Sequence, residues 1–386
     1  MAEDAVNIEK YVISMRRYFH EYPELSFQEE QTIERIKDEL EEMGLKPQII
    51  EKGGLYADIK GGVNGKTVAL RADMDALPIR EETDIPFKSK NDGVMHACGH
   101  DSHMAMLLGV AKSLVNKRDQ FNGTVRLIFQ RAEEQPPGGA VEMIRGGVLK
   151  NVDYVVGQHV MSNAPSGIVA ILPKECMANA DEFKIKINSK GGHGAYPHTG
   201  VDTLMIASLF VVQAQTIVSR IMDPSEPAVI TVGTMASGFR YNVISPHTEL
   251  RGTVRTFSEE GRDKSEKYLK EMIQNLCITY GADFEFEFIR GYPALINNPE
   301  LISVIETVAR KIVGEKNIIR PKPSMGGEDF AYYAQQVPGA FYFLGVTNRN
   351  EKNPGQNHSP QFTIDESALG KGTLLMEQVA LKLLSP

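Results

Sequence analysis

The apolar positions of this chain fall into two periods, one helical and one alternating, and the switches between them mark out its elements. Ile8, Tyr11, Val12, Met15, Tyr18 and Phe19 recur at helical spacing and predict a first helix that ends before Pro23. Ser26 followed by Glu29 has the form of a capping box and predicts a second helix, with Ile33, Ile36 and Leu40 on one face and a stop near Gly44. Strands are predicted over 57–60 and 67–72, the second running into Asp73-Met-Asp75-Ala-Leu-Pro78. The run from Met104 to Val115, broken mainly by Lys112, predicts another helix. Thr124 to Gln130 reads as a buried strand leading to Glu133-Glu134, and Val152 to Gly157 as a strand that ends at His159. Strands alternating with helices imply an α/β sheet covered on both faces, and such sheets bind ligands beyond the carboxyl ends of their strands.

The texture changes near Asp181. Phe183, Ile185 and Ile187 alternate with lysines, as in a half-exposed strand. A helix follows, with Leu204, Ala207, Val211, Ala214, Val218 and Ile221 on one face; then strands over 228–235 and 248–257, a helix over 261–280, and the strand Phe284-Glu-Phe-Glu-Phe288. The order βαββαβ is the ferredoxin-like split motif. It predicts a domain over 181–291 inserted into a first domain made of 1–180 and 292–386. After Asn297 the first texture returns: a helix over 299–313, a second helix opened by Ser324-Met-Gly-Gly-Glu-Asp329-Phe, a buried strand over 340–345, and a polar loop carrying His358.

Composition narrows the class. A chain of 386 residues with 42% hydrophobic and 24% charged content is ordinary for a globular protein. The net charge of -8 argues against a nucleic-acid binder. Cys98, Cys176 and Cys277 do not make a disulfide framework, which points to a reducing compartment and a cytoplasmic location. The acidic start, with no apolar run after it, predicts no secretory signal. The most apolar window, Leu204 to Val212, is too short to cross a membrane, so none is expected.

The candidate chemistry centres on Met95-His-Ala-Cys-Gly-His-Asp-Ser-His103, which sets Cys98 and three histidines at a predicted helix N-terminus. Cys and His are ligands that zinc-like ions prefer, and a helix N-terminus favours the thiolate. Cys98, His100, Glu134, His159 and His358 all lie in predicted loops at element ends, and together they have the residue types of a two-metal site. Glu133, adjacent to a ligand and surplus to the count, is the natural general base. Asp73 and Asp75 are candidate acceptors that orient a ligand histidine. His20, His96 and His247 are expected to be structural, while His103 and His198 stay open.

Nearly the whole chain resembles the aminoacylase/carboxypeptidase family of dinuclear metallohydrolases, and within it the hippurate hydrolases, indoleacetyl-amino-acid hydrolases and related carboxypeptidases. The resemblance rests on Arg16-Arg-Tyr-Phe-His20 with Pro23-Glu-Leu-Ser26, Arg71-Ala-Asp-Met-Asp-Ala-Leu-Pro78, Met95-His-Ala-Cys-Gly-His-Asp101, Gly191-Gly-His-Gly-Ala195, Asn242-Val-Ile, Arg251-Gly-Thr, Gly327-Glu-Asp-Phe330 and Asn357-His358. It implies an α/β/α zinc-peptidase-like catalytic domain with an inserted ferredoxin-like lid and dimerisation domain, and a homodimer or an oligomer built from dimers. It also implies two divalent metal ions per subunit, zinc first, with manganese, cobalt or nickel as alternatives. Cys98 resembles the bridging ligand; His100, Glu134, His159 and His358 resemble the others, and Glu133 the base. His193 resembles a histidine that reaches a neighbouring subunit's site and stabilises the oxyanion. Asn242 and Arg251 resemble residues that hold the substrate carboxylate, although an ion pair of Arg251 with Glu249 reads nearly as well. Asp101 is grouped with Asp73 and Asp75 behind the ligands. Arg131 departs from the family pattern, which has proline before Ala-Glu-Glu. The implied reaction is hydrolysis of N-acyl or N-blocked amino acids, or of C-terminal residues of short peptides, by a metal-activated water. A narrow N-acetyl-diamino-acid deacetylase, an amino-acid-binding regulatory protein and a structural zinc protein are the alternatives.

Overall fold

The most apolar strands pair at the centre of an eight-stranded sheet. Its order is Gln48–Ile50, Gly54–Lys60, Thr124–Gln130, Thr67–Asp73, Tyr154–Pro165, Gly339–Thr347, Val169–Ala170 and Ile318–Ile319. The four middle strands run parallel, and Val68, Ala69 and Leu70 are fully buried in succession, so both faces of the sheet are covered. The helices Ala2–Glu21, His100–Val115, Pro299–Val313 and Leu369–Leu384 contribute to one continuous core with it. The computed structural model describes residues 2–348 and 355–385.

This sheet belongs to one of two compact units, formed by Met1–Cys176, Ile296–Lys322 and Asp329–Pro386. The other unit is Met177–Leu295 with Pro323–Glu328, a segment that the sequence pattern leaves with the flanking part of the chain. In the second unit Val229–Ser237, His247–Arg255, Ala180–Asn188 and Asp283–Tyr292 form an antiparallel sheet in that order. Phe183, Ile185 and Ile187 alternate inward against the helices Thr203–Thr216 and Glu259–Tyr280.

Several elements differ from their sequence reading. The strand through His159 does not end there but runs to Pro165, because Gly339–Thr347 pairs along its whole length. Its other neighbour, Thr67–Asp73, pairs with it only as far as Arg71 opposite Gly157. His159 therefore lies just past the end of that pairing, level with the last residue of Thr67–Asp73, at the strand ends where such sheets bind ligands. The segment ending in Gly327-Glu-Asp-Phe330 leads into a helix as expected, with Phe330 at its N-cap, but that helix is short, Ala331–Gln336. The apolar helix that starts at Thr203 continues through Ile221, and over those 19 residues it is long and apolar enough to cross a membrane by composition. Its inner face, Ile206, Ala207, Phe210 and Ala214, packs on the second unit's sheet, whereas Leu204, Met205 and Val212 are exposed.

Candidate metal centre

Two turns and one helix start build the site. Gly99 precedes the helix His100–Val115 with φ +92, and a Cβ there would come within 2.3 Å of Val160, so only glycine lets the chain pass. This places Cys98 and His100 on either side of a sharp turn. The donor atoms of Cys98, His100 and Glu134 lie within 4.8 Å of one another. Cys98 Sγ is 3.5 Å from His159 Nε2, and Glu134 Oε1 is 3.1 Å from His358 Nε2. All five candidate ligands are thus joined in one cluster around Cys98.

The residues behind the ligands set their protonation. Asp75 accepts from His100 Nδ1 (3.2 Å), from the backbone N–H groups of Glu133 and Glu134 (3.0 Å each) and from Ser26 Oγ (2.7 Å). One buried carboxylate therefore orients the His100 ring and holds the Glu133–Glu134 backbone. His100 Nε2 is buried without a hydrogen-bond partner among the described residues. Burial opposes charge on this ring, but Asp73, Cys98 and Asp75 carry its pKa well above the ordinary value. A buried ring nitrogen with no partner, in surroundings that favour positive charge, suits a cation. Burial drives His159 the other way, toward the neutral form a ligand needs, and its Nδ1 donates to Val160 O at 2.6 Å.

Burial, with Glu134 adding, pushes the Cys98 thiol up to about 12. The expected thiolate-stabilising effect of the helix start is therefore outweighed: Cys98 precedes the Gly99 cap and is enclosed. A cation is what makes the thiolate favourable here. Sulfur, imidazole and carboxylate donors gathered within 4.8 Å of one another fit a divalent metal of the zinc type.

His358 is held by geometry rather than burial. It adopts φ +67, its N–H donates to Ala97 O at 2.8 Å, and its neighbour Asn357 donates to Cys98 O at 3.1 Å while accepting from Ser162. Ala132, on the other loop, has φ +52. Left-handed backbone at non-glycine residues is uncommon and recurs at functional sites.

Other candidates fall outside this cluster. His103 is not available as a ligand: its Nε2 accepts from Val160 N–H (2.9 Å), so its Nδ1 donates to Asp73 (2.5 Å). Asp73, bridging His103 and Arg71, reaches only within 3.7 Å of His100 Nε2. Asp101, grouped with Asp73 and Asp75 behind the candidate ligands, has other partners: its carboxylate binds Arg16 Nε (2.9 Å) and His20 Nδ1 (2.8 Å). His96 is fully enclosed near them, and burial lowers its pKa to about 3.

In the second unit, Gly192–His193 pairs with Val243–Ile244, which brings His193 beside Asn242 on one ribbon. A Cβ at Gly191 would sit 2.7 Å from Ile244 O, so the glycine permits this approach. His193 is exposed, and its Nδ1 accepts from Ala195 N–H at 3.0 Å, which leaves the proton on Nε2. Arg251 is exposed and pairs with Glu249 at 2.9 Å, the ion pair foreseen as its alternative. His247 bonds Asn188, and His198 lies against Tyr196. Ser26, Glu29 and Asn357 were missed as site residues; Asn357 adjoins a candidate ligand, while the first two resemble a helix cap.

Residues 69–382 match the model of peptidase family M20/M25/M40. The chain is 41% identical to thermostable carboxypeptidase 1 of Saccharolobus solfataricus over 99% of this chain and 98% of that one. It is 45% identical to an N-acyl-L-amino acid amidohydrolase of Geobacillus stearothermophilus over 75% and 78% of the respective chains. Among solved structures it resembles the Bacillus subtilis YXEP protein, described as a dinuclear metal-binding peptidase of the M20 family, at 34% identity and TM-score 0.85, covering 98% of this chain and 99% of that one.

Proposed function

The chain belongs to peptidase family M20/M25/M40 and is a hydrolase of amide or peptide bonds; from that premise we propose that it hydrolyses N-acyl or N-blocked amino acids, or releases C-terminal residues from short peptides, using two divalent metal ions, zinc foremost. The observation that carries this reading is the convergence of Cys98, His100 and Glu134 within 4.8 Å, with the buried Glu133 next to Glu134 in the chain. His159 and His358, at the two ends of the cluster, complete the proposed ligand set.

Held by Cys98, His100, Glu134, His159 and His358, two divalent ions would supply polarisation of the scissile carbonyl and acidification of water. Glu133 takes a proton from that water and returns it to the departing amine. Asp75 holds both His100 and the Glu133–Glu134 backbone, so the base and a ligand keep a fixed relation. His193, with Nε2 free to donate, holds the negative charge that develops on the carbonyl oxygen. Asn242 and Arg251 receive the substrate carboxylate; Arg251 must exchange Glu249 for it.

The proposal extends to a homodimer made through the inserted unit. The strand Val229–Ser237 has one neighbour in its sheet among the described residues, and the helix Thr203–Thr216 exposes Val212 at 71%. An open strand edge and an exposed apolar helix are what a two-fold partner covers. Three buried cysteines without disulfides support a cytoplasmic location.

The test is a hydrolysis screen. Metal-stripped protein receives zinc, cobalt or manganese separately and is offered N-acetyl, N-benzoyl and benzyloxycarbonyl amino acids and short peptides. Glu133→Gln should retain metal and lose activity by about 10²–10⁴-fold, the usual worth of a positioned base. No turnover with any metal, or a Glu133→Gln variant as fast as wild type, would overturn the reading.

A further inference from the structure

The Ser26-Phe-Gln-Glu29 pattern does not cap the helix it precedes. Glu29 stands at the N-cap of Glu30–Glu42 but makes no capping bond. Glu24 does that work, accepting from the N–H groups of Gln31 (3.2 Å) and Thr32 (2.9 Å). Ser26 Oγ donates instead to Asp75 Oδ2 at 2.7 Å, and Glu29 Oε1 accepts from Ala132 N–H at 2.8 Å.

Three successive amides, those of Ala132, Glu133 and Glu134, therefore all donate to two buried carboxylates, Glu29 and Asp75. The first of them belongs to the residue with φ +52, a conformation an alanine keeps only when its surroundings enforce it. Glu29 is fully buried, and burial, with Asp75 adding, pushes its carboxyl up to about 7. Burying a carboxylate is costly unless it is hydrogen-bonded, and here the Ala132 N–H supplies such a bond. Arg131 leans over it, with Nε 3.8 Å from Glu29 Oε2 and Nη2 2.9 Å from Glu30 Oε1. This gives the arginine, where the family pattern has proline, a defined partner.

We propose that Glu29, backed by Ser26 through Asp75, is a positioning residue that fixes the left-handed turn at Ala132 and thereby aims Glu133 and Glu134 at the metal site. The proposal rests on the roles given to Glu133 and Glu134 above. It assigns to Glu29 the acceptor function of one oxygen rather than its charge. Glutamine keeps that oxygen; methionine has a similar size and lacks it.

The experiment compares Glu29→Gln with Glu29→Met. Two readouts are taken: kcat and KM at saturating zinc, and zinc retained after dialysis against a chelator. Glu29→Gln should stay within about threefold of wild type in both. Glu29→Met should lose kcat and zinc affinity by about 10–100-fold, the usual effect of removing a group that orients a metal ligand, with KM nearly unchanged. Equal losses in both variants would overturn the acceptor role, and no loss in Glu29→Met would overturn the brace. Should Glu29→Met not fold, hydrogen exchange on wild-type protein decides: the amides of 132–134 should exchange as slowly as the central strands, and fast exchange overturns the proposal. If wild type binds zinc but hydrolyses nothing, the proposed function fails, while zinc retention and exchange still judge the brace.

Discussion

Asp75→Asn changes one atom and can be reasoned through bond by bond. Oδ1 accepts from Glu133 N–H and His100 Nδ1; Oδ2 accepts from Glu134 N–H and Ser26 Oγ. Asparagine offers one acceptor oxygen and one NH₂ group. If NH₂ faces His100, the ring must change tautomer and its Nε2 gains the proton, which removes it as a ligand. If NH₂ faces Ser26, the hydroxyl rotates to accept, and only Glu134 N–H is left unpaired. The second arrangement is the cheaper. A buried unpaired donor costs about 1–3 kcal/mol, so stability should fall by about that much. His100 then donates to a neutral carbonyl instead of a carboxylate and becomes a weaker ligand, so zinc affinity should fall about 10–100-fold. The assays are a denaturant titration of the metal-free protein and chelator competition for zinc. Ser26→Ala is the control: it leaves Asp75 three donors, and its effect on zinc should be much smaller. A fully stable Asp75→Asn variant with wild-type zinc affinity would refute the account of Asp75 as the hub of the site.

Cys98→Ala should lower zinc occupancy by elemental analysis far more than Cys176→Ala or Cys277→Ala, and equal losses would remove Cys98 from the ligand set. Burial, with Asp75 adding, pushes the Glu29 carboxyl up from the usual 4.5 to about 7, so the stabilising contribution of its protonated form is full below about pH 4.5 and is lost as pH rises through 7. Glu29→Gln should therefore gain stability relative to wild type across that window, by at most about 3–4 kcal/mol for a rise from 4.5 to about 7 at about 1.36 kcal/mol per pKa unit; a difference that stays flat with pH, with Asp75 and Arg131 as the facing charges, would contradict this. For His193, mixing the inactive Glu133→Gln and His193→Ala chains should restore activity at about a quarter of all sites if the histidine serves a neighbouring subunit. No recovery after demonstrated subunit exchange would place His193 in its own subunit's chemistry or outside it.

The periodic part of the fold is legible in the sequence. Thr124–Gln130 and Pro299–Val313 have the predicted ends, because a buried strand and an amphipathic helix are written by local spacing. The candidate ligands could be named from residue type and motif, since sulfur, imidazole and carboxylate beside glycine turns carry their chemistry with them. What spacing could not say is where a polar side chain points once another loop arrives. Ser26 and Glu29 fit a capping box, yet tertiary contacts offer them Asp75 and Ala132, and Glu24 takes the helix instead. Asp73, Asp75 and Asp101 look alike in sequence, but packing sends them to His103, His100 and His20 respectively. The strand through His159 extends because a partner strand more than 170 positions later in the chain, Gly339–Thr347, pairs along it. Local pattern determined which elements form and which residue types they carry. Long-range packing decided protonation, tautomer and partner, because burial and neighbouring charge are properties of the folded surroundings and not of the residue.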